Sequence, residues 1–304
     1  MREETQMNIK EGYLSFKEYK TYYRIVSPEY KKTPLLILHG GPGSNHNSYE
    51  VLDELSVREQ RPIVMYDQIG CGNSYLEGHE ELWKADTWLD ELAMLRKELK
   101  LDNLFIMGHS WGGMLAIMYM IDKKPEGVRG LILSSTLSSV TLWEKETRRL
   151  TRFLSDTDKK AIEECEKRKD YSCLEYQLAL SHYANMFIGS KADKNSPECL
   201  RRKSKKGPES YRIAWGESEF CPTGNLNTYE YTDRLKDIKV PVLLTSGIND
   251  ESTPLINKTM FDAITSEKKW VLFGNSRHMS YVEENKKYED EISEFMDHND
   301  KGKK

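Results

Sequence analysis

Gly108-His109-Ser110-Trp111-Gly112 limits the folds open to this chain more than any other stretch. It follows a short apolar run, Leu104-Phe105-Ile106-Met107, and leads into a helical pattern, Met114-Leu115-Ala116-Ile117-Met118-Tyr119-Met120. A chain passing from strand to helix in so few residues must turn sharply, which holds the middle residue in a strained backbone conformation. Gly108 and Gly112 flank it because a Cβ at either place would collide with the neighbouring strand or helix. The strain projects the Ser110 hydroxyl outward, with the free N–H groups and positive dipole end of the helix behind it. Ser110 is therefore a candidate nucleophile.

The flanking sequence supplies the sheet such a turn needs. Tyr13-Leu14-Ser15-Phe16 and Lys20-Thr21-Tyr22-Tyr23-Arg24-Ile25 read as an antiparallel hairpin. Pro34-Leu35-Leu36-Ile37-Leu38 is apolar without alternation, as expected of a strand buried on both faces of a parallel sheet. It runs into His39-Gly40-Gly41-Pro42-Gly43, a loop whose backbone N–H groups can face a cavity. A short helical segment over 49–55 leads to a strand, Pro62-Ile63-Val64-Met65-Tyr66, and a glycine-broken loop, Asp67 to Ser74. Trp88, Leu92, Leu95 and Leu99 form one apolar helical face. Further strands follow at Val128 to Ser134, Val240 to Ser246 and Trp270 to Phe273. A closing helix carries Tyr288, Ile292 and Phe295 on one face, and the tail from Asp300 is expected to fray.

This alternation predicts an α/β fold, a mostly parallel sheet with helices on both faces. Between 138 and 235 the alternation stops, and charged helical patterns with aromatic-rich pieces take over. The expected organisation is a catalytic domain, 1–137 and 236–304, with an inserted helical cap, 138–235. The cap contains a basic run, Arg201-Arg202-Lys203-Ser204-Lys205-Lys206. It lacks interleaved aromatics and the chain carries a net charge of −4, so it reads as an exposed helix or loop and not a nucleic-acid patch. The segment Met1-Arg2-Glu3-Glu4 has no apolar run, and no stretch approaches a membrane span, so no membrane association is expected. Five cysteines without a Cys-x-x-Cys pair argue against zinc and a disulfide framework, and predict free thiols in a reducing cytoplasm. Neither cofactor nor metal is called for.

Asp250 lies just past one buried strand and His278 just past the next. Loops after parallel strands gather at one edge of the sheet, where Ser110 also lies. The order Ser110, Asp250, His278 is the one an α/β-hydrolase requires, whereas Asp67 precedes the serine and reads as structural. His278 would accept the serine proton during attack on a carbonyl carbon, and Asp250 would hold the imidazole tautomer. The oxyanion needs two donors, for which the Trp111 N–H and one from the 39–43 loop, Gly41, are the candidates. Serine, and not aspartate, at position 110 makes acyl transfer the reaction class.

The segments His39-Gly40-Gly41-Pro42-Gly43, Asp67-Gln68-Ile69-Gly70-Cys71-Gly72-Asn73-Ser74, Gly108-His109-Ser110-Trp111-Gly112-Gly113 and Asp250-Glu251-Ser252-Thr253-Pro254 resemble the proline iminopeptidases, the serine-type prolyl aminopeptidases. The resemblance covers nearly the whole chain, is weakest in the cap, and is greatest to the small monomeric kind that includes tricorn-associated aminopeptidases. It implies release of an N-terminal residue, preferably proline, from short peptides with a free N-terminus, downstream of a larger protease. It also implies that Glu219, in Gly216-Glu217-Ser218-Glu219-Phe220, and Glu251 hold the substrate amine, with Tyr211 as a further pocket position. A free α-amino group is protonated near neutral pH, so carboxylates suit that role. Residues alone leave open a carboxylesterase, a lipase-like enzyme or an amino acid amide hydrolase with the same triad, and a non-catalytic binding protein on the same fold.

Overall fold

A computed structural model describes residues 7–300. Met1 to Glu4, expected to lack a leader, and the tail beyond Asp300, expected to fray, lie outside the described residues.

Strands β1 (Ile9–Phe16), β2 (Tyr19–Val26), β3 (Leu35–Leu38), β4 (Ile63–Asp67), β5 (Leu104–His109), β6 (Val128–Ser134), β7 (Val242–Gly247) and β8 (Lys268–Phe273) form one sheet in the order β1-β2-β4-β3-β5-β6-β7-β8. The first hairpin and the β2–β4 pair are antiparallel, and every later pair is parallel. β3 sits between β4 and β5, so the chain reverses its direction of travel across the sheet there, and a crevice opens beyond the carboxyl ends of the strands.

Successive residues of the central strands point to opposite faces, and both faces are covered. Leu36, Leu38, Ile106, Leu131 and Leu244 pack beneath α2 (Ala85–Glu98), α3 (Trp111–Met118) and α9 (Pro254–Ala263). Leu35, Ile37, Phe105, Ile132 and Leu243 pack on the other side against Leu55 of α1 (Asp53–Glu59) and Tyr288, Ile292 and Phe295 of α11 (Asn285–Asp300). This explains why the strands read as continuous apolar runs. Truncating any such leucine to alanine removes about 2–5 kcal/mol of stability. The sheet ends at β8, where Lys268 and Lys269 guard an edge that would otherwise pair with another chain.

Between β6 and β7 the chain builds α4 (Val140–Leu150), α5 (Asp156–Arg168), α6 (Leu174–Phe187), α7 (Glu198–Arg201) and α8 (Pro208–Ala214). Ser139 and Ser155 cap the first two, accepting N–H bonds from Leu142 and Asp158. These helices carry an apolar cluster of their own, including Leu154, Ile162, Tyr176, Tyr183, Phe187 and Phe220. The short α10 (Ser280–Glu283) follows β8.

The helical segment expected over 49–55 is a 3₁₀ helix, Asn47–Leu52, that runs into α1. One local expectation needs correction. The cysteines are not all free, because Cys165 and Cys173 pair as a disulfide, while Cys71, Cys199 and Cys221 remain thiols. The α5–α6 hairpin folds back on itself and brings together side chains eight positions apart, which spacing alone does not reveal.

Candidate active site

Ser110 stands between β5 and α3 with φ +54° and ψ −123°, a left-handed conformation that a serine adopts only where its surroundings impose it. The imposing contacts are close. A Cβ on Gly108 would strike the Gly112 carbonyl, and one on Gly112 would strike the Leu38 carbonyl. The turn is further fixed by the Ser110 N–H donating to the Ser134 carbonyl (3.0 Å) and by Thr136 Oγ1 donating to the Ser110 carbonyl (2.7 Å).

Asp250 and His278 come together at the ends of β7 and β8. The imidazole Nδ1 lies 2.7 Å from Asp250 Oδ1, and both side chains are buried. Asp250 also accepts N–H bonds from Ser252 (2.7 Å) and Gly247 (3.3 Å). An ionised carboxylate only accepts, so Nδ1 carries the proton and Nε2 presents its lone pair. Ser110 and His278 line one cavity of about 960 Å³. The Ser110 hydroxyl is partly exposed into it and has no side-chain hydrogen-bond partner among the described residues. No hydrogen bond joins it to Nε2 among the described residues, and catalytic contacts of this kind tighten when substrate arrives.

Gly41 lines the same cavity, and Trp111 directly follows Ser110 in the turn. Neither backbone N–H is taken by an acceptor among the described residues, so both remain available to an incoming oxygen. Gly41 holds φ +126°, and the Gly40 and Gly41 backbone lines the cavity. The loop is anchored from behind: Gln68 Nε2 donates to the His39 carbonyl (3.0 Å), and Trp111 Nε1 donates to Gln68 Oε1 (2.8 Å). Asp67 is buried behind it and accepts bonds from the His46 and Asn73 N–H groups (2.8 and 2.7 Å), which is the structural role its position implied.

His109 does more than its place beside the nucleophile suggests. The Gly40 N–H donates to the Tyr49 hydroxyl (3.2 Å), which contacts His109 Nδ1 (2.9 Å), and His109 Nε2 contacts the His278 carbonyl (2.9 Å). A carbonyl only accepts, so the proton sits on Nε2 and the tyrosine donates to Nδ1. Burial lowers the His109 pKa to about 3, keeping the ring neutral. One chain of hydrogen bonds thus ties the glycine loop, the serine turn and the histidine loop together. Sequence held no signal for this bridge, since its members lie on three separate loops.

Glu219 and Glu251 both line the cavity, Glu251 fully buried and Glu219 partly so. Glu219 Oε1 accepts from the Tyr211 hydroxyl (2.7 Å), which places Tyr211 behind the pocket. Glu251 Oε1 lies 3.8 Å from His278 Nε2, while Glu251 Oε2 is buried with no partner among the described residues. Burial raises the Glu251 pKa well above the usual carboxylate range, and the negative charges of Glu219 and Asp250 push it further. Burial raises Glu219 as well, opposed by the Tyr211 hydroxyl and by His278. Tyr183 of α6, which sequence reasoning did not single out, has its hydroxyl beside this pair. Two neighbouring carboxyls without a cation are an arrangement that a positive charge would stabilise.

Part of the basic run also lines the cavity. It is exposed as expected, but Arg201, Arg202, Lys203 and Lys206 face the space that Ser110 opens into. Among the described residues no group of three or more His, Cys, Asp or Glu side chains is arranged to hold a metal, and no helix is long and apolar enough to cross a membrane.

Known proteins share both the fold and much of the sequence. The family model for the alpha/beta hydrolase fold matches residues 33–285. The chain is 52% identical over 295 residues to a proline iminopeptidase of Clostridioides difficile (strain 630), covering 97% of this chain and all of that protein. It is 48% identical to a proline iminopeptidase of Lactobacillus helveticus (strain DPC 4571) with the same coverage. Among solved structures, VinJ superimposes with a TM-score of 0.86 at 27% identity, covering 95% of this chain and 98% of VinJ. A proline iminopeptidase of Mycobacterium smegmatis gives 0.83 at 24% identity, covering 96% and 99%, a likeness of fold.

Proposed function

The chain belongs to the proline iminopeptidases of the α/β-hydrolase fold, and from that premise we propose that it releases N-terminal proline from short peptides through an acyl-enzyme at Ser110. The observation that carries this reading is the pair Glu219 and Glu251, the latter buried with one carboxylate oxygen unpaired, on the wall of the cavity that holds Ser110 and His278. An esterase with a greasy acyl pocket has no use for two such carboxyls. A substrate whose scissile carbonyl lies one carbon from a protonated secondary amine does.

In the proposed mechanism the prolyl ammonium ion sits between Glu219 and Glu251, which sets the carbonyl carbon before Ser110 Oγ. His278 Nε2 accepts the serine proton as the C–O bond forms, and Asp250 stabilises the resulting imidazolium. The oxyanion is held by the Gly41 and Trp111 N–H groups. His278 then gives its proton to the departing amine of the shortened peptide, leaving a prolyl ester on Ser110. Water, deprotonated by the same histidine, hydrolyses that ester and frees proline. Residues 138–235 act as the cap over this site and contribute Glu219 and Tyr211. The same reading has the enzyme in the cytoplasm, acting on peptides that larger proteases have released. Cell fractionation that found the activity outside the cytoplasm would remove that part.

Comparing a prolyl anilide with its N-acetylated form tests the reading. The free amine is expected to be cleaved at least about a hundredfold faster, since the blocked form leaves the carboxylate pair without its cation. Equal rates would point to an esterase or amide hydrolase with no amine site.

A further inference from the structure

The cavity lining carries charges of both signs that differ in exposure. Glu251 is buried and Glu219 partly so. Lys191, Arg201, Lys203 and Lys206 are exposed, which puts them at the mouth. Two other cations of the lining are already matched: Arg202 is held between Glu50 and Glu198, and Arg277 pairs with Glu283. Asp193, also on the lining, accepts N–H bonds from Asn195 and Ser196 (2.8 and 3.1 Å) and offsets one positive charge. The four cations are different, because none forms an ion pair with a carboxylate among the described residues. Arg201 Nε donates to the Ser196 carbonyl (2.9 Å), and Lys206 Nζ reaches only Ser44 Oγ, at 3.5 Å. Four like charges around one opening repel one another, and an anion placed among them relieves that repulsion.

We propose that this basic mouth receives the C-terminal carboxylate of a short peptide whose N-terminus is held by Glu219 and Glu251, so that the cavity selects small zwitterions with both ends free. The proposal rests on the aminopeptidase reading and extends it to the far end of the substrate. A cavity of about 960 Å³ is at the upper end for a small-molecule site, and an extended tripeptide spans at most about 11 Å. A long peptide would have to carry an uncharged backbone past the cations and would gain nothing from them. The exposed cations and the buried Glu251 also set the direction of entry, since a peptide presented carboxylate-first meets carboxylates.

The test compares three peptides on the purified enzyme at low salt: Pro-Gly-Gly, its C-terminal amide, and Pro-Gly-Glu amide, whose only carboxylate is on a side chain. Prolyl anilide serves as the reference substrate. Wild type is expected to favour Pro-Gly-Gly over its amide by about tenfold in kcat/KM, the scale of a few solvent-exposed ion pairs. The ratio is expected to shrink as salt rises to about 0.5 M, because exposed pairs are screened. It is expected to fall to about one in the variant Lys191→Gln/Arg201→Gln/Lys203→Gln/Lys206→Gln. Because the readout is a ratio within one protein, a general loss of folded enzyme leaves it unchanged. A wild-type ratio near one, or a preference that survives in the variant, overturns the proposal while prolyl anilide turnover keeps the aminopeptidase reading intact. Pro-Gly-Glu amide cleaved as well as Pro-Gly-Gly overturns the C-terminal assignment. Failure to cleave prolyl anilide at all removes both readings.

Discussion

Replacing Glu251 by glutamine probes the amine site from two directions at once. The substitution keeps the shape of the side chain and removes one buried negative charge that has an unpaired oxygen and two acidic neighbours. Removing one partner of a buried charge pair costs about 3–5 kcal/mol. Glu219 remains to share the ammonium, so the lower end applies, about 3 kcal/mol or roughly 150-fold in kcat/KM for prolyl anilide. Stability is expected to move the other way. The folded-state pKa of Glu251 lies above its unfolded value, so its contribution to stability is greatest below the ordinary carboxylate range near about 4.3 and is lost as pH rises through the folded value. Glu251→Gln removes that loss. Its melting temperature is expected to exceed that of wild type at pH 8, with the gap closing towards pH 4. Steady-state kinetics and thermal denaturation across that range check both halves. A variant that cleaves prolyl anilide within threefold of wild type would refute the amine-anchor role. One that is less stable at pH 8 would refute the charge-burial account.

Other contacts give three further measurable outcomes. Tyr211→Phe removes the 2.7 Å hydroxyl donor to Glu219, for which a loss of about 1.5–3 kcal/mol is expected; the acid limb of the kcat/KM profile moves to higher pH, since that hydroxyl holds the Glu219 pKa down. Glu91 of α2 is buried, accepts from Thr21 Oγ1 (2.5 Å) and the Ile69 N–H (2.9 Å), and has its pKa pushed up to about 8 by burial. Urea unfolding is expected to show stability falling as pH rises from the carboxylate range through about 8, with a flatter profile in Glu91→Gln. Gly112→Ala drives a methyl group into the Leu38 carbonyl and is expected to lose more than about 3 kcal/mol of stability, read by thermal denaturation.

Much of this architecture is written locally in the chain. Runs such as Leu35–Leu38 and residues 104–107 are apolar throughout because both faces of the sheet are covered, and that pattern needs no tertiary information. The glycines around Ser110 announce the strained turn, since no other residue leaves room for the neighbouring carbonyls. Asp250 and His278 are legible because each follows a recognisable strand, and parallel strands deliver their following loops to one edge. The cap is different. Its helices read as charged amphipathic segments, and nothing in 198–206 tells whether the basic run faces bulk water or the cavity. The disulfide between Cys165 and Cys173 depends on how tightly the α5–α6 hairpin closes. The chain from Gly40 through Tyr49 and His109 to the His278 carbonyl includes a bonded pair 169 positions apart, His109 and His278, at distances only the folded sheet determines. Glu219 became a candidate through resemblance, and its partial burial beside Glu251 then supplies a physical reason for the role.

The amine site lends itself to direct observation in a crystal structure of Ser110→Ala bound to a prolyl dipeptide, in which the substrate stays uncleaved. The account predicts the prolyl nitrogen within hydrogen-bond distance, about 2.7–3.2 Å, of carboxylate oxygens from both Glu219 and Glu251, with the scissile carbonyl oxygen turned towards the Gly41 and Trp111 N–H groups. A prolyl nitrogen pointing to the exposed mouth, with both glutamates left unengaged, would contradict it.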